Sequence, residues 1–408
     1  MTEQDIQELG PLFANYLRGF ECYFLRDKTF DHYRDYCRGL LSDLERKSVE
    51  PIALAAGETV RTLQVFLLQG AWEHERHRDG LQSRLAEALT AYPDDGLGSV
   101  GFLDETSAVK KGVKTPGVQR QYCGSVGKVE NCIVTVHLGV SRGRFKTLID
   151  ADLFLSKKWD ADRERCRKAG IPDHLHHRPK WEIGLEQLAR AQRNGLFLDW
   201  LVFDEGYGQA PEFLGLLNAA GQKFVGEVPS IFSCRVGRSE QARRVNWVLN
   251  SAAARSQKWR RFRLKHETEK PQVWEAKTIL VRVRRCGRLP MRLIVARNVT
   301  TGEVKYFVSN APRRVALERL LRVAFSRWKI EHCFRVIKSE VGLTHYEGRN
   351  YTGLMRHMIM CLTVMGFAAL HTERLRGAKS GGDAGTGVPG SERPLLDASR
   401  PAAGNEPN

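Results

Sequence analysis

The sequence has no apolar run long enough to cross a bilayer. Its longest, Met358 to Leu370, is 13 residues, whereas a spanning helix needs about 20. The stretch predicts a buried core helix, and no membrane association is expected. The opening residues, MTEQDIQELG, are acidic and polar; they lack the basic start and apolar centre of a secretory signal. Nine cysteines, an odd number without a leader, argue against a disulfide framework and for a reducing, cytoplasmic compartment. Familiar ligand motifs are also missing. Cys166, His174, His176 and His177 match no closed two-plus-two zinc spacing. Cys123 and Cys132 are too far apart for a zinc knuckle and read as buried strand thiols. GSVGK at 124–128 lacks the P-loop form. No internal repeat is visible.

Acidic residues are scarce in one segment only. Residues 231–345 hold 27 Lys+Arg and 8 Asp+Glu, net +19. Residues 1–100 hold 11 and 17, net −6, and residues 101–230 hold 19 and 16, net +3. The whole chain of 408 residues is +17, so one stretch carries more than the total. A charge density of that size predicts a polyanion-binding surface.

Periodicity divides the chain. Residues 1–93 read as helical, with Ile6, Leu9, Phe13 and Leu17 at helical spacing. Val49 to Phe66 has a helix–turn–helix pattern: a helix over Ile52–Ala56, Gly57 in the turn, and Thr59 as N-cap of a second helix. That helix would offer Arg61, Thr62 and Gln64 to a groove; an ordinary helical hairpin fits the same residues. From residue 98 the pattern becomes strand (Val100–Asp104), strand (Asn131–Val140), strand (Arg144–Asp150), helix (Trp181–Asn194), strand (Leu198–Asp204), helix (Ala210–Ala220), strand (Lys223–Val228). This order predicts a mixed α/β sheet with its ligands at strand C-termini. Residues 231–312 are basic and β-rich, with Trp247, Trp259 and Trp274 among the cations. Each tryptophan suits either base stacking or core packing. Ala316–Val341 and Tyr351–Leu375 read as helices completing the core over 313–375. Residues 376–408, rich in Gly, Pro, Ser and Asp, read as a disordered tail.

Two carboxylates, Asp104 and Asp204, end two core-type strands, and alternation turns Glu105 and Glu205 to the opposite face. A third, Glu331, lies on the late helix. At about 100° per residue, Arg327, Glu331, Arg335 and Lys338 share an arc of about 80°, beside an apolar stripe of Val323, Ile330, Phe334 and Ile337. Phosphodiester hydrolysis needs an activated water and a stabilised leaving oxyanion. Two divalent metals about 4 Å apart, held by hard oxygen ligands, supply both.

Three segments carry a resemblance: FLDETSAVKKGVKTPGVQRQYCGSVGKVENCIVTVHLG from Phe102, WLVFDEGYG from Trp200, and FSRWKIEHCFRVIKSEVGL from Phe325. Over about residues 95–370 the chain resembles the DDE-superfamily transposases of bacterial insertion sequences. The resemblance implies a ribonuclease-H-like core, a β-rich insertion at 231–312, and Asp104, Asp204 and Glu331 as catalytic ligands of Mg2+ or Mn2+, two ions in all. Arg327, Glu331 and Lys338 match the spacing of the family's Tyr-x-x-Arg-x-x-x-Glu-x-x-x-x-x-x-Lys signature, while Ala324 replaces its Tyr. Double-stranded DNA would be the partner, as terminal inverted repeats and as target, with a homodimer assembled on it beside the bacterial nucleoid. Arg327, Arg335, Lys338, Lys110, Lys111, Lys114, Arg260 and Arg261 are the expected DNA contacts. A structure-specific nuclease on the same fold and a non-catalytic DNA-binding relic are the rival readings.

Overall fold

The computed structural model describes residues 3–237, 239–264, 272–287 and 289–377, with side chains within 9–372. The expected tail lies outside them from residue 378 on. Five helices open the chain: α1 (Glu3–Arg18), α2 (Asp27–Leu41), α3 (Val49–Ala55), α4 (Val60–Gln69) and α5 (His74–Thr90). Then come β1 (Ser99–Val109), β2 (Gln119–Cys123), β3 (Lys128–Arg142) and β4 (Phe145–Leu153). The short α6 (Lys157–Asp160) and α7 (Arg163–Lys168) precede α8 (Lys180–Arg193), β5 (Trp200–Phe203), α9 (Glu205–Gly208), α10 (Pro211–Ala219) and β6 (Phe224–Val228). The basic segment gives β7 (Ser233–Val236), β8 (Ala242–Arg244), α11 (Val245–Val248), α12 (Ala252–Arg255), β9 (Arg260–Leu264), β10 (Gln272–Arg282), β11 (Met291–Asn298) and β12 (Val304–Ser309). The chain returns to helix with α13 (Leu317–Phe325), α14 (Trp328–Val336) and α15 (Tyr351–Gly377).

The core sheet is ribonuclease-H-like. β4, β3 and β1 run antiparallel in that order, and β5 and β6 continue parallel to β1. β5 is buried along its whole length, as a parallel strand covered by helices on both faces must be, and its sequence WLVF is correspondingly an unbroken apolar run. The basic segment extends this same sheet. β12 pairs antiparallel with β6, followed by β11, β10, β7 and β8. The core strands and the basic strands thus form one hydrogen-bonded surface.

α15 lies against β4 and α5, with α1, α2 and α4 packed around it. By length and composition it is apolar enough to cross a membrane, but it is mostly buried inside the protein. Polar side chains fix its position. The Arg356 guanidinium donates to the carbonyls of Phe66 (3.2 Å), Leu67 (2.9 Å), Gly70 (2.8 Å) and Trp72. Two of these belong to the last turn of α4, where carbonyls run short of helical partners; that of Phe66 also accepts from the Gly70 amide at 3.2 Å. The Tyr36 hydroxyl on α2 meets His357 Nδ1 at 3.0 Å. Residues 1–93 therefore share one core with the end of the chain.

The single helix expected over Ala316–Val341 is instead broken twice. Ser326 and Arg327 form a turn between α13 and α14, and Ile337–Val341 is a π-helical turn. Ser326 Oγ bonds back to the carbonyl of Val323 at 2.6 Å, a local alternative to continued helix. The π turn ends at Gly342, whose φ of +83° is left-handed and suits glycine.

Candidate active site

β1 carries the first carboxylate. Leu103 and Glu105 face α8, where Glu105 pairs with Lys180, while Asp104 faces α14, as the alternation predicts. β1 and β5 are in parallel register through Phe102↔Val202 and Leu103↔Phe203. Asp104 and Asp204 are thus the next residues along two neighbouring strands, about 5 Å apart across the ladder. Asp204 is also the N-cap of α9: its Oδ1 accepts from the amides of Gly206 (2.9 Å) and Tyr207 (3.4 Å). The cap engages that one oxygen. The EGYG sequence makes so tight a turn possible, because a Cβ on Gly208 would lie 1.8 Å from the Glu227 carbonyl oxygen.

Glu331 comes from the far end of the chain and reaches the same place. Arg327, at the start of α14, donates to Asp104 Oδ2 at 3.0 Å through Nη1 and to Glu331 Oε1 at 3.1 Å through Nη2. One guanidinium thus joins the strand carboxylate to the helix carboxylate. The Asp104 side chain is 14% exposed and that of Glu331 62%, so one acid forms the floor of the site and the other its rim. Burial, and then the charge of Asp204, push the Asp104 carboxyl up to about 7 despite the pull of Arg327. Asp204 is also raised, by burial and by Glu105. Burial works against the charge on Arg327, yet Asp104, Glu331, Asp204 and Glu227 together hold its pKa above the ordinary value. The site gathers more negative charge than its own cation balances, and all its ligand atoms are hard oxygens, a donor set suited to Mg2+ or Mn2+.

The other expected contacts divide. Arg335 is exposed and meets His332 Nδ1 at 2.9 Å. Lys338 is carried by the π turn, off the regular α-helical arc; it is half-buried, with Nζ 5.6 Å from the Phe334 ring centroid, and burial lowers its pKa. Lys110 does not reach out to solvent: its Nζ donates to the carbonyls of Thr344 (3.0 Å) and Tyr346 (2.6 Å), and burial lowers its pKa to about 8. Lys111 and Lys114 are exposed. Arg260 and Arg261 are exposed on β9, with Arg261 Nε 2.8 Å from Glu275. Trp274 is buried against Phe325, and Trp259 lies beneath Lys277 and Arg297, whereas Trp247 is 62% exposed.

Two neighbours of the site were not singled out from the sequence. Glu227, on β6, pairs with Lys305 at 2.9 Å. Both line a cleft of about 470 Å3 that also takes in Arg327, Glu331, Trp274 and Ala324. Its signal was available, since Glu227 is a third carboxylate near the C-terminal end of a parallel strand. His137 pairs with Asp104 across the β1–β3 ladder. It is fully buried, and burial followed by Lys338 lowers its pKa to about 3, so it is neutral; nothing in the sequence distinguished it.

In the N-terminal helices, α3 and α4 are joined through Gly57, and the Thr59 hydroxyl accepts from the Thr62 amide at 3.1 Å, as expected of a cap. Arg61 and Gln64 are exposed on α4.

Residues 19–288 match a family described as DDE superfamily endonuclease. The chain belongs to this family. The matched span contains Asp104 and Asp204 and ends before Glu331. A relative, the probable transposase for insertion sequence element IS701 of Microchaete diplosiphon, is 28% identical over 213 residues, 52% of this chain and 52% of that protein. The chain thus spans about half the length of that relative.

Proposed function

We propose that this DDE endonuclease is the transposase of an insertion sequence, cleaving DNA at terminal inverted repeats and joining the freed 3′-hydroxyl to target DNA. The observation that carries the reading is the convergence of Asp104, Asp204 and Glu331, from three separate elements, around Arg327. Asp104, Asp204 and Glu331 would hold two Mg2+ or Mn2+ ions. Bound there, such ions activate a water and stabilise the leaving oxyanion. Arg327 sets the spacing of Asp104 and Glu331. Lys111, Lys114, Arg335, Arg260 and Arg261 would contact backbone phosphates, which fix position rather than sequence. Double-stranded DNA in the bacterial cytoplasm would be the partner, with paired ends held by a homodimer. Similarity to a probable transposase favours this over a plain structure-specific nuclease.

The test uses DNA bearing the inverted repeats that flank the gene, with Mg2+. Wild-type protein should nick at the repeat ends and give strand-transfer products. Asp204→Asn and Glu331→Gln should each lower cleavage by about a hundredfold or more while retaining the mobility shift on the same DNA. Full cleavage by either variant would refute the metal assignment. Cleavage without joined products would leave a nuclease.

A further inference from the structure

A second group of metal-type ligands lies in the N-terminal helices, on elements that contribute nothing to the acidic cluster of the core. His32 and Asp35 are one turn apart on α2, and Glu58 sits in the turn between α3 and α4. One ligand atom from each falls within 4.8 Å of the others. His32 Nδ1 is 3.6 Å from Glu58 Oε1. A tetrahedral Zn2+ with ligand bonds of about 2.0–2.2 Å separates its ligand atoms by about 3.3–3.6 Å. The His32–Glu58 pair is at that spacing already, and rotation of the Asp35 carboxylate can close the remainder.

The imidazole gives an independent indication. His32 is 9% exposed, and its Nδ1 is buried without a hydrogen-bond partner. A buried polar atom left unmatched costs about 1–3 kcal/mol, so native proteins rarely keep one without a use. This one lies 3.6 Å from the Glu58 carboxylate, in the cluster that includes Asp35. Two of the competing cations, Lys28 and Arg38, are on exposed stems. Lys28 Nζ is 3.4 Å from Glu58 Oε1 with a side chain 72% exposed, and Arg38 Nη1 is 3.5 Å from Asp35 Oδ1 with a side chain 55% exposed. Arg34 is engaged by Asp31 at 2.7 Å. Exposed pairs of this kind are worth about 0–1 kcal/mol, so a divalent ion displaces them at little cost.

We propose that His32, Asp35 and Glu58 form a transition-metal site, selective for Zn2+ over Mg2+, that clamps α2 to the α3–α4 turn. The selectivity follows from the donors: imidazole suits Zn2+, whereas Mg2+ takes oxygen ligands and keeps its waters. The clamp fixes the start of α4, the helix that exposes Arg61 and Gln64, and so acts on the surface offered for reading DNA rather than on the chemistry.

Zn2+ affinity of the full-length, tag-free protein is measured by competition with a chromophoric chelator, in an Asp104→Asn/Asp204→Asn background that disables the core cluster. One equivalent should bind at micromolar or lower concentration, unaffected by millimolar Mg2+. Glu58→Gln should weaken it at least about tenfold, the loss expected even for a supporting residue of a metal site. Lys28→Ala, a change at an exposed position that leaves the fold intact, should tighten it. Co2+ in place of Zn2+ should show ligand-field bands without a thiolate charge-transfer band. Absence of binding, affinity unchanged in both Glu58→Gln and Lys28→Ala, or a thiolate band would each overturn the proposal. None of these readouts depends on cleavage activity, so the outcome is separable from the transposase reading.

Discussion

At the scale of single residues, the acidic site holds carboxylates under conditions that disfavour their charge. Asp104 sits at about 7 against about 3.9 in an unfolded chain, so the folded state takes up its proton more readily. Without divalent ions, stability should therefore fall as pH rises from about 4 to 7, by up to about 4 kcal/mol. The loss is complete above the folded pKa, where the buried carboxylate is ionised. In EDTA, thermal melts of the wild type from pH 5 to 8 should show this slope, and Asp104→Asn should flatten it and melt higher at pH 8. The same variant should show no cleavage. A parallel slope in wild type and variant would mean that Asp104 is not the titrating group. The facing of Asp104 was legible from alternation, but its place was not: β1 runs on to Val109 instead of ending at the carboxylate, whereas Asp204 does follow the last residue of β5. The fate of Lys110 was not legible either: a lysine in a basic turn looks solvated until Thr344 and Tyr346, over 230 residues away in sequence, supply two carbonyls.

At the scale of elements, the long core strand β3 and the helix α8 were the readable part. Asn131–Val140 was extended by a few residues to Lys128–Arg142, and Trp181–Asn194 became Lys180–Arg193. Each has its period and its end signals in its own residues. The segment around Glu331 lacks such signals. No Gly or Pro marks the break at Ser326–Arg327; the break goes with Arg327 bonding to Asp104 and with Lys329 turning inward to Ser141 Oγ and the Gly143 carbonyl. Tertiary contacts override helical propensity here. Arg356 gives the sharpest test at this scale. Replacing it by Met keeps the apolar stem but takes the guanidinium donor from the carbonyls of Leu67 and Trp72, while those of Phe66 and Gly70 keep a backbone amide. We expect a loss of about 3 kcal/mol or more in chemical denaturation, with hydrogen exchange rising first in residues 60–72. A change under about 0.5 kcal/mol would show that α4 does not depend on this contact.

At the scale of the whole molecule, charge and sheet are superimposed. Arg243, Arg260 and Arg263 are exposed on β8 and β9, strands of one sheet with the core, and Arg255 is exposed on α12. If all four contact phosphate, changing them together to Ala should reduce the slope of log affinity against log salt by about 3–4, as measured by titration at several salt concentrations. An unchanged slope would place the DNA elsewhere. The net charge of +17 pointed to a polyanion but not to its track. That track requires the β6–β12 pairing, and no local pattern announces which edge a β-rich insertion will join. Deleting residues 1–93 is a poor probe of their role, because α2, α4 and α5 bury their faces against α15; point changes at Arg61 and Gln64 are the usable alternative.

The placement of α15 also sets a timetable for synthesis. The ribosome makes the five opening helices first, yet the element they close around ends at Gly377. Likewise β6 gains its outer neighbour only when β12 emerges some 80 residues later. Until α15 has been released, the nascent chain exposes the apolar faces of its first helices, and until β12 has, an open strand edge at β6, the features that chaperones and proteases recognise. A gene copy cut short before codon 350 would thus yield a short-lived product, rather than a stable DNA-binding fragment that competes with the intact enzyme.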